Sequence, residues 1–139
     1  MKTFFVYTDG GAVGNPGPGA IAIVVKNNEQ KTIFEYNEFI GNTTNNQAEY
    51  RALIKGLEII KDLKKNSQAK IEVLMDSELI VNQLNLKYKV KNHGLQPLFL
   101  KAHNLAISLG KITFRHIYRE ENHEADKLVK KAIKERNNV

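Results

Sequence analysis

The 139-residue chain contains no cysteine. That excludes a disulfide framework and any thiolate-held metal site, and makes an intracellular, cytoplasmic protein the expectation. No apolar stretch approaches the roughly 20 residues of a membrane-spanning helix, so no membrane association is expected. Met1 leads almost directly into "KTFFVYTD", so no leader peptide is expected. Repeats, low-complexity tracts and linker-like segments are missing too, and the length fits one domain over 1–139. Apolar residues make up 42% and charged residues 26%, which places the chain among globular rather than disordered proteins. Lysine and arginine outnumber the acids by 21 to 15, a net charge of +6 that fits an anionic partner, nucleic acid first.

What is present begins with two-residue alternation. In "KTFFVYTD" (2–9), Phe5, Tyr7 and Asp9 share one strand face and Phe4, Val6 and Thr8 the other. After the glycine-rich "GGAVGNPGPG", two more strands are expected over 20–26 and 31–40, with Asn27-Asn28 as their turn. The period then changes. Leu53, Gly56, Leu57, Ile60 and Leu63 fall at helical spacing within 43–65, opened by a capping box of Thr44 and Gln47. "KIEVLM" (70–75) reads as a strand, and 77–84 as a short helix capped by Ser77. A third helix over 95–110 begins near Pro97 and stops at Gly110. A fifth strand covers 111–118, and a last helix covers 122–137 with Asn122 as its cap. The order β-β-β-α-β-α-α-β-α predicts an α/β fold: a mixed five-stranded sheet flanked by helices.

Four acids break this pattern. Asp9 is expected to end the first strand, and Asp76 directly follows the fourth. Glu49 shares a helical stripe with Leu53, Gly56 and Ile60, as Asp126 does with Val129 and Ile133. Singly, each has an ordinary reading, as an answer to a helix dipole or as a turn and cap residue. Jointly they do not, because carboxylates gathered within several ångströms repel by roughly 1–4 kcal/mol per pair. Such a cluster persists when a cation neutralises it or when protons are retained. An all-oxygen donor set suits Mg²⁺ or Mn²⁺ rather than zinc, and carboxylate-bridged divalent ions are the apparatus of phosphoryl transfer. The glycine loop is not a dinucleotide loop, since it runs between strands and opens no helix.

"YTDGGAVGNPGPGA", "TTNNQAEYRAL", "MDSELIVNQL" and "REENHEADKL" resemble the four signature segments of type 1 ribonuclease H, across essentially the whole chain. The resemblance implies that family's fold and maps its Asp-Glu-Asp-Asp metal site onto Asp9, Glu49, Asp76 and Asp126. It implies an endonuclease that cuts the RNA strand of an RNA–DNA hybrid with two Mg²⁺ ions, or Mn²⁺, leaving 3′-hydroxyl and 5′-phosphate ends. Telling RNA from DNA means reading the 2′-hydroxyl. By the resemblance that falls to Gly10, Asn15, Asn45, Asn46 and Glu78, the last standing where relatives often carry glutamine. Thr44 matches a residue that holds a phosphate of the DNA strand.

The chain also departs from the family pattern. The mobile histidine or glutamate that many relatives carry before the last aspartate has no match in "IYREENHEAD". Arg119 is the candidate for that role, ahead of His123 and of His116, which belongs to the fifth strand. His93 and His103 read as surface or packing residues. The lysine-rich inserted helix of some relatives is missing, so the chain reads as the compact form. Lys87, Lys89 and Lys91, interleaved with Tyr88 and Val90, are its substitute, and Lys127, Lys130, Lys131 and Lys134 a further basic face or a merely solvated one. Hybrid binding is therefore expected to be strongly salt-dependent, and double-stranded RNA stays open as a second substrate. The alternatives are a non-catalytic hybrid-binding module of the same fold, a transposase-like or junction-cutting nuclease, and a domain of a reverse transcriptase. An intact set of acids, the "GNPGPG" and "TTNN" segments, and the start methionine favour a free-standing ribonuclease H, expected to be a monomer.

Overall fold

Alternation in the first strand sorts the whole molecule into two layers about one sheet. In the computed structural model, which describes residues 2–138, β1 spans Thr3–Ala12. Its Phe4, Val6, Thr8 and Gly10 are buried, while Phe5, Tyr7, Asp9 and Gly11 on the opposite face are half-buried. β2 (Gly17–Lys26) and β3 (Thr32–Thr43) complete an antiparallel meander. α1 (Asn45–Lys64) leads to β4 (Lys70–Met75), which pairs parallel with β1. α2 (Glu78–Leu84) and α3 (Gln96–Leu109) precede β5 (Ile112–His116), parallel to β4. A 3₁₀ turn over Arg119–Asn122 feeds α4 (His123–Lys134), and a second one covers Glu135–Asn138. The sheet order is β3-β2-β1-β4-β5, so the mixed five-stranded sheet and its element order match the sequence reading.

β2 shows why "AIAIVV" has no polar face. Ile21, Ile23 and Val25 pack with Phe4 and Val6 against Leu53, Leu57 and Ile60 of α1. Ala20, Ala22 and Val24 face the other way, against Ala125, Val129 and Ile133 of α4. The small alanines let α4 lie close to the sheet, and each fully buried Leu or Ile contributes roughly 1.5–3 kcal/mol. Among the described residues no helix is long and apolar enough to cross a membrane.

Two expectations change. β1 does not end at Asp9 but pairs with β2 through Ala12, with Asp9 opposite Ala22 and Gly11 opposite Ala20. Glycine suits that stretch because backbone crowds it: a Cβ on Gly10 would lie 2.3 Å from Ala48 O, and one on Gly17 would lie 1.9 Å from Val13 O. Only Val13–Pro16 are left to turn, closed by Val13 N–H donating to Pro18 O at 2.8 Å. Asn122 stands at the start of α4 as expected, but its side chain caps nothing there. The other signals hold. Thr44 and Gln47 form the capping box of α1, Ser77 Oγ accepts from Ile80 N–H, and Gly110 ends α3 at φ +82°.

Candidate active site

Sheet register brings the first two acids together. Tyr7 of β1 lies beside Leu74 of β4, so the same register continued by two residues sets Asp9 beside Asp76, where β4 stops. Glu49 arrives from the second turn of α1, which presses on β1 at Gly10, where no side chain intervenes. Oxygen atoms of Asp9, Glu49 and Asp76 lie within 4.8 Å of one another. Asp126, from the first turn of α4, lines the same cleft of about 530 Å³ without joining that tight cluster.

The cleft is electrostatically strained. Burial above all, then the charges of Asp76 and Asp126, raises Asp9 from 3.8 to about 7, although the Gly10 N–H and Arg119 oppose this. Burial, then Asp76 and Asp9, raises Glu49 from 4.5 to about 8 against a hydrogen bond from Ser77. Retained protons are what a crowded carboxylate cluster adopts without a cation. The donor set is all oxygen, with no histidine or thiolate, and so fits a hard divalent ion.

Several supports come from residues far apart in sequence. The buried Asn122 side chain donates to Thr8 O at 3.0 Å and to Asp76 Oδ2 at 3.3 Å, so it fixes one acid to β1. Asn45 Oδ1 accepts from Ala12 N–H at 2.9 Å, and Asn15 Oδ1 accepts from Asn45 N–H at 2.9 Å. These two bonds lash the β1–β2 turn to the start of α1. Arg119 Nη2 stands 3.6 Å from Asp126 Oδ1 and Lys130 Nζ 3.0 Å from Asp126 Oδ2.

A family model described as reverse transcriptase-like matches residues 7–132. The curated ribonuclease H of Caldicellulosiruptor saccharolyticus is 34% identical, over 97% of this chain and 99% of that one. The chain belongs to the ribonuclease H family. Among solved structures of ribonuclease H, LC11-RNase H1, isolated from compost, is 43% identical with a TM-score of 0.93, over 97% of this chain and 98% of that one. The same protein has also been solved in complex with an RNA/DNA hybrid, at a TM-score of 0.91 and 43% identity over 95% and 97% of the two chains. A bifunctional protein of Mycobacterium tuberculosis is 39% identical over 92% of this chain, which spans only 35% of that protein's length. The ribonuclease H fold expected from the four sequence segments is therefore the fold observed.

Within this ribonuclease H fold, the residues singled out in the sequence divide by place. Asp9, Gly10, Asn45, Glu49, Asp76, Arg119 and Asp126 line the cleft. Asn15, Thr44, Asn45 and Asn46 line a neighbouring cavity of about 420 Å³, joined there by Gln47, Asn92 and Leu95. Glu78, exposed at the first position of α2, lines neither. His116 packs edge-on to Tyr118, His103 stacks on Phe99, His123 contacts Glu120 O, and none of these histidines lines the cleft. Sequence reading missed Asn122 as a strut, Ser77 as a donor to Glu49 and Lys130 as a cleft residue. For Lys130 a signal existed in its i,i+4 spacing from Asp126. For the other two, nothing local marks the contact.

Proposed function

We propose that this chain is an endonuclease that hydrolyses the RNA strand of RNA–DNA hybrids, with double-stranded RNA as a second substrate class to be tested. The observation that carries this reading is the convergence of Asp9, Glu49 and Asp76 in a cleft shared with Asp126. Those four side chains are the ones that would hold divalent metal. Mg²⁺ or Mn²⁺, two ions with substrate in place, would supply an activated water and stabilise charge on the leaving oxygen.

The chain's own residues do the rest. Asp9 and Glu49, which burial and neighbouring charge keep protonated, would give up those protons to hold a divalent ion. Arg119, exposed at the mouth, is a permanent cation that orients a phosphate and does not accept a proton. Asn15 and Asn45 spend their Oδ1 atoms on the protein, which leaves their amide NH₂ groups to the nucleic acid backbone. Gly10 gives the hybrid close approach, and contacts beside the acids read the 2′-hydroxyl. Thr44 in the neighbouring cavity holds a phosphate of the DNA strand, and Asn46 beside it serves with Asn15 and Asn45 in reading the RNA strand. Water oxygen bonds to phosphorus as the bond to the 3′-oxygen breaks; the water releases a proton to solvent and the 3′-oxygen takes one up, leaving 3′-hydroxyl and 5′-phosphate ends. Glu78, outside both cavities, is at most a peripheral contact.

The test is cleavage of one labelled sequence as hybrid, double-stranded RNA and double-stranded DNA, with Mg²⁺, Mn²⁺ or chelator, beside Asp9→Asn. Metal-dependent hybrid cleavage that is lost in the variant is expected. Hybrid binding without cleavage under either metal overturns the catalytic reading in favour of a binding module.

A further inference from the structure

Asp126 is set apart from the other acids of the cleft. Asp9, Glu49 and Asp76 bring oxygens within 4.8 Å of one another, whereas Asp126 stays outside that cluster with both of its oxygens facing cations. The shorter contact is to Lys130, 3.0 Å from Oδ2 and four residues further along α4. An acid followed by a lysine at i,i+4 is the favourable order on a helix, so the pairing needs nothing from the rest of the fold. The two partners sit differently: the Asp126 side chain is 18% exposed, that of Lys130 67%. The lysine thus stands at the rim and reaches in to the acid.

We propose that Lys130 is a tethered counter-ion of the candidate metal centre, holding the Asp126 carboxylate apart from the three-acid cluster so that a divalent cation must take Asp126 away from it. This rests on the reading of the cleft as a metal centre. A carboxylate oxygen facing an ammonium at 3.0 Å has to give up that partner, at least in part, to coordinate an ion. Lysine suits the role, since its ammonium is a compact charge on a flexible stem and swings out without disturbing the helix. Arg119 is no substitute, as it faces the other oxygen at a longer 3.6 Å. The competing account makes the pair an ordinary helix-surface contact, whose loss slightly lowers stability and leaves metal affinity alone.

Calorimetric titration with Mn²⁺ alone, without nucleic acid and at low ionic strength, separates the two. Lys130→Gln is expected to bind Mn²⁺ about 2–5-fold more tightly than the parent, the range for release of one exposed ion pair. The gain is expected to shrink in high salt, because the lysine is exposed. In an Asp126→Asn background, Lys130→Gln is expected to add nothing. Lys65→Gln, the same loss of charge at the far end of α1, is expected to match the parent. Unchanged or weaker binding by a folded Lys130→Gln protein overturns the proposal, and so does an equal gain in the Asp126→Asn background, which would mark a general field effect. Folded parent protein that binds no Mn²⁺ overturns the metal-centre reading itself, and the role of Lys130 with it.

Discussion

Asp9 and Glu49 make the metal-free cleft a pH-dependent weakness in the fold. In the unfolded chain both acids ionise near pH 4–5, but folded they hold their protons to about 7 and about 8. Between those limits the folded state binds more protons than the unfolded one, so stability falls as pH rises, and the full cost is reached above about pH 8. Each tenfold change in proton affinity corresponds to about 1.4 kcal/mol, so the rise from 3.8 to about 7 bounds the cost of ionised Asp9 at about 4 kcal/mol. Its repulsion with Glu49 is shared between them, so the two costs do not add. Asp9→Asn removes the charge and keeps the shape. With chelator at pH 9 the variant is expected to be about 2–4 kcal/mol more stable than the parent, a rise in Tm of roughly 6–15 °C for a domain of this size. At pH 5, only about one pH unit above the unfolded value of Asp9, little more than a third of that cost has accrued, and the gap should shrink to about 1–1.5 kcal/mol. Adding Mn²⁺ at pH 9 should narrow the gap, because the ion stabilises the parent by mass action. Thermal melts followed by far-ultraviolet circular dichroism at pH 5, 7 and 9 make the comparison. A variant no more stable than the parent at pH 9 would refute the claim that the cleft confines unfavourable charge.

Gly10→Ala places a Cβ 2.3 Å from Ala48 O and 2.7 Å from Glu49 N, backbone atoms that yield only if α1 moves off β1. A loss of about 1–3 kcal/mol in urea unfolding is expected, together with weaker Mn²⁺ binding as Asp9 and Glu49 separate; a parent-like midpoint would contradict the close approach. Asn122→Ala removes the donor to Thr8 O and Asp76 Oδ2. It is expected to cost about 1–3 kcal/mol and to lower kcat on a hybrid substrate at temperatures where the variant is folded. Unaltered kcat would leave Asn122 a structural residue only.

The sequence by itself determined whatever neighbours in the chain decide among themselves. The two-residue period of 2–9 and the helical period of 43–65 survive almost unchanged as β1 and α1. The Thr44–Gln47 box, the Ser77 cap and the Gly110 stop stand where they were read, because each closes backbone groups within a few residues. The order of elements was enough for the fold class, and the four acids were visible because they interrupt those periods. Tertiary structure alone decided the rest. It extended β1 through Gly10, Gly11 and Ala12, which look like a loop until β2 and α1 close on them. It turned Asn122 from a helix cap into a strut 114 residues from its partner Thr8, and it spent the oxygens of Asn15 and Asn45 on bracing a turn. It also held Asp126 outside the tight cluster of the other three acids. These outcomes depend on which surfaces meet across tens of residues, a matter of packing and burial that no local period encodes.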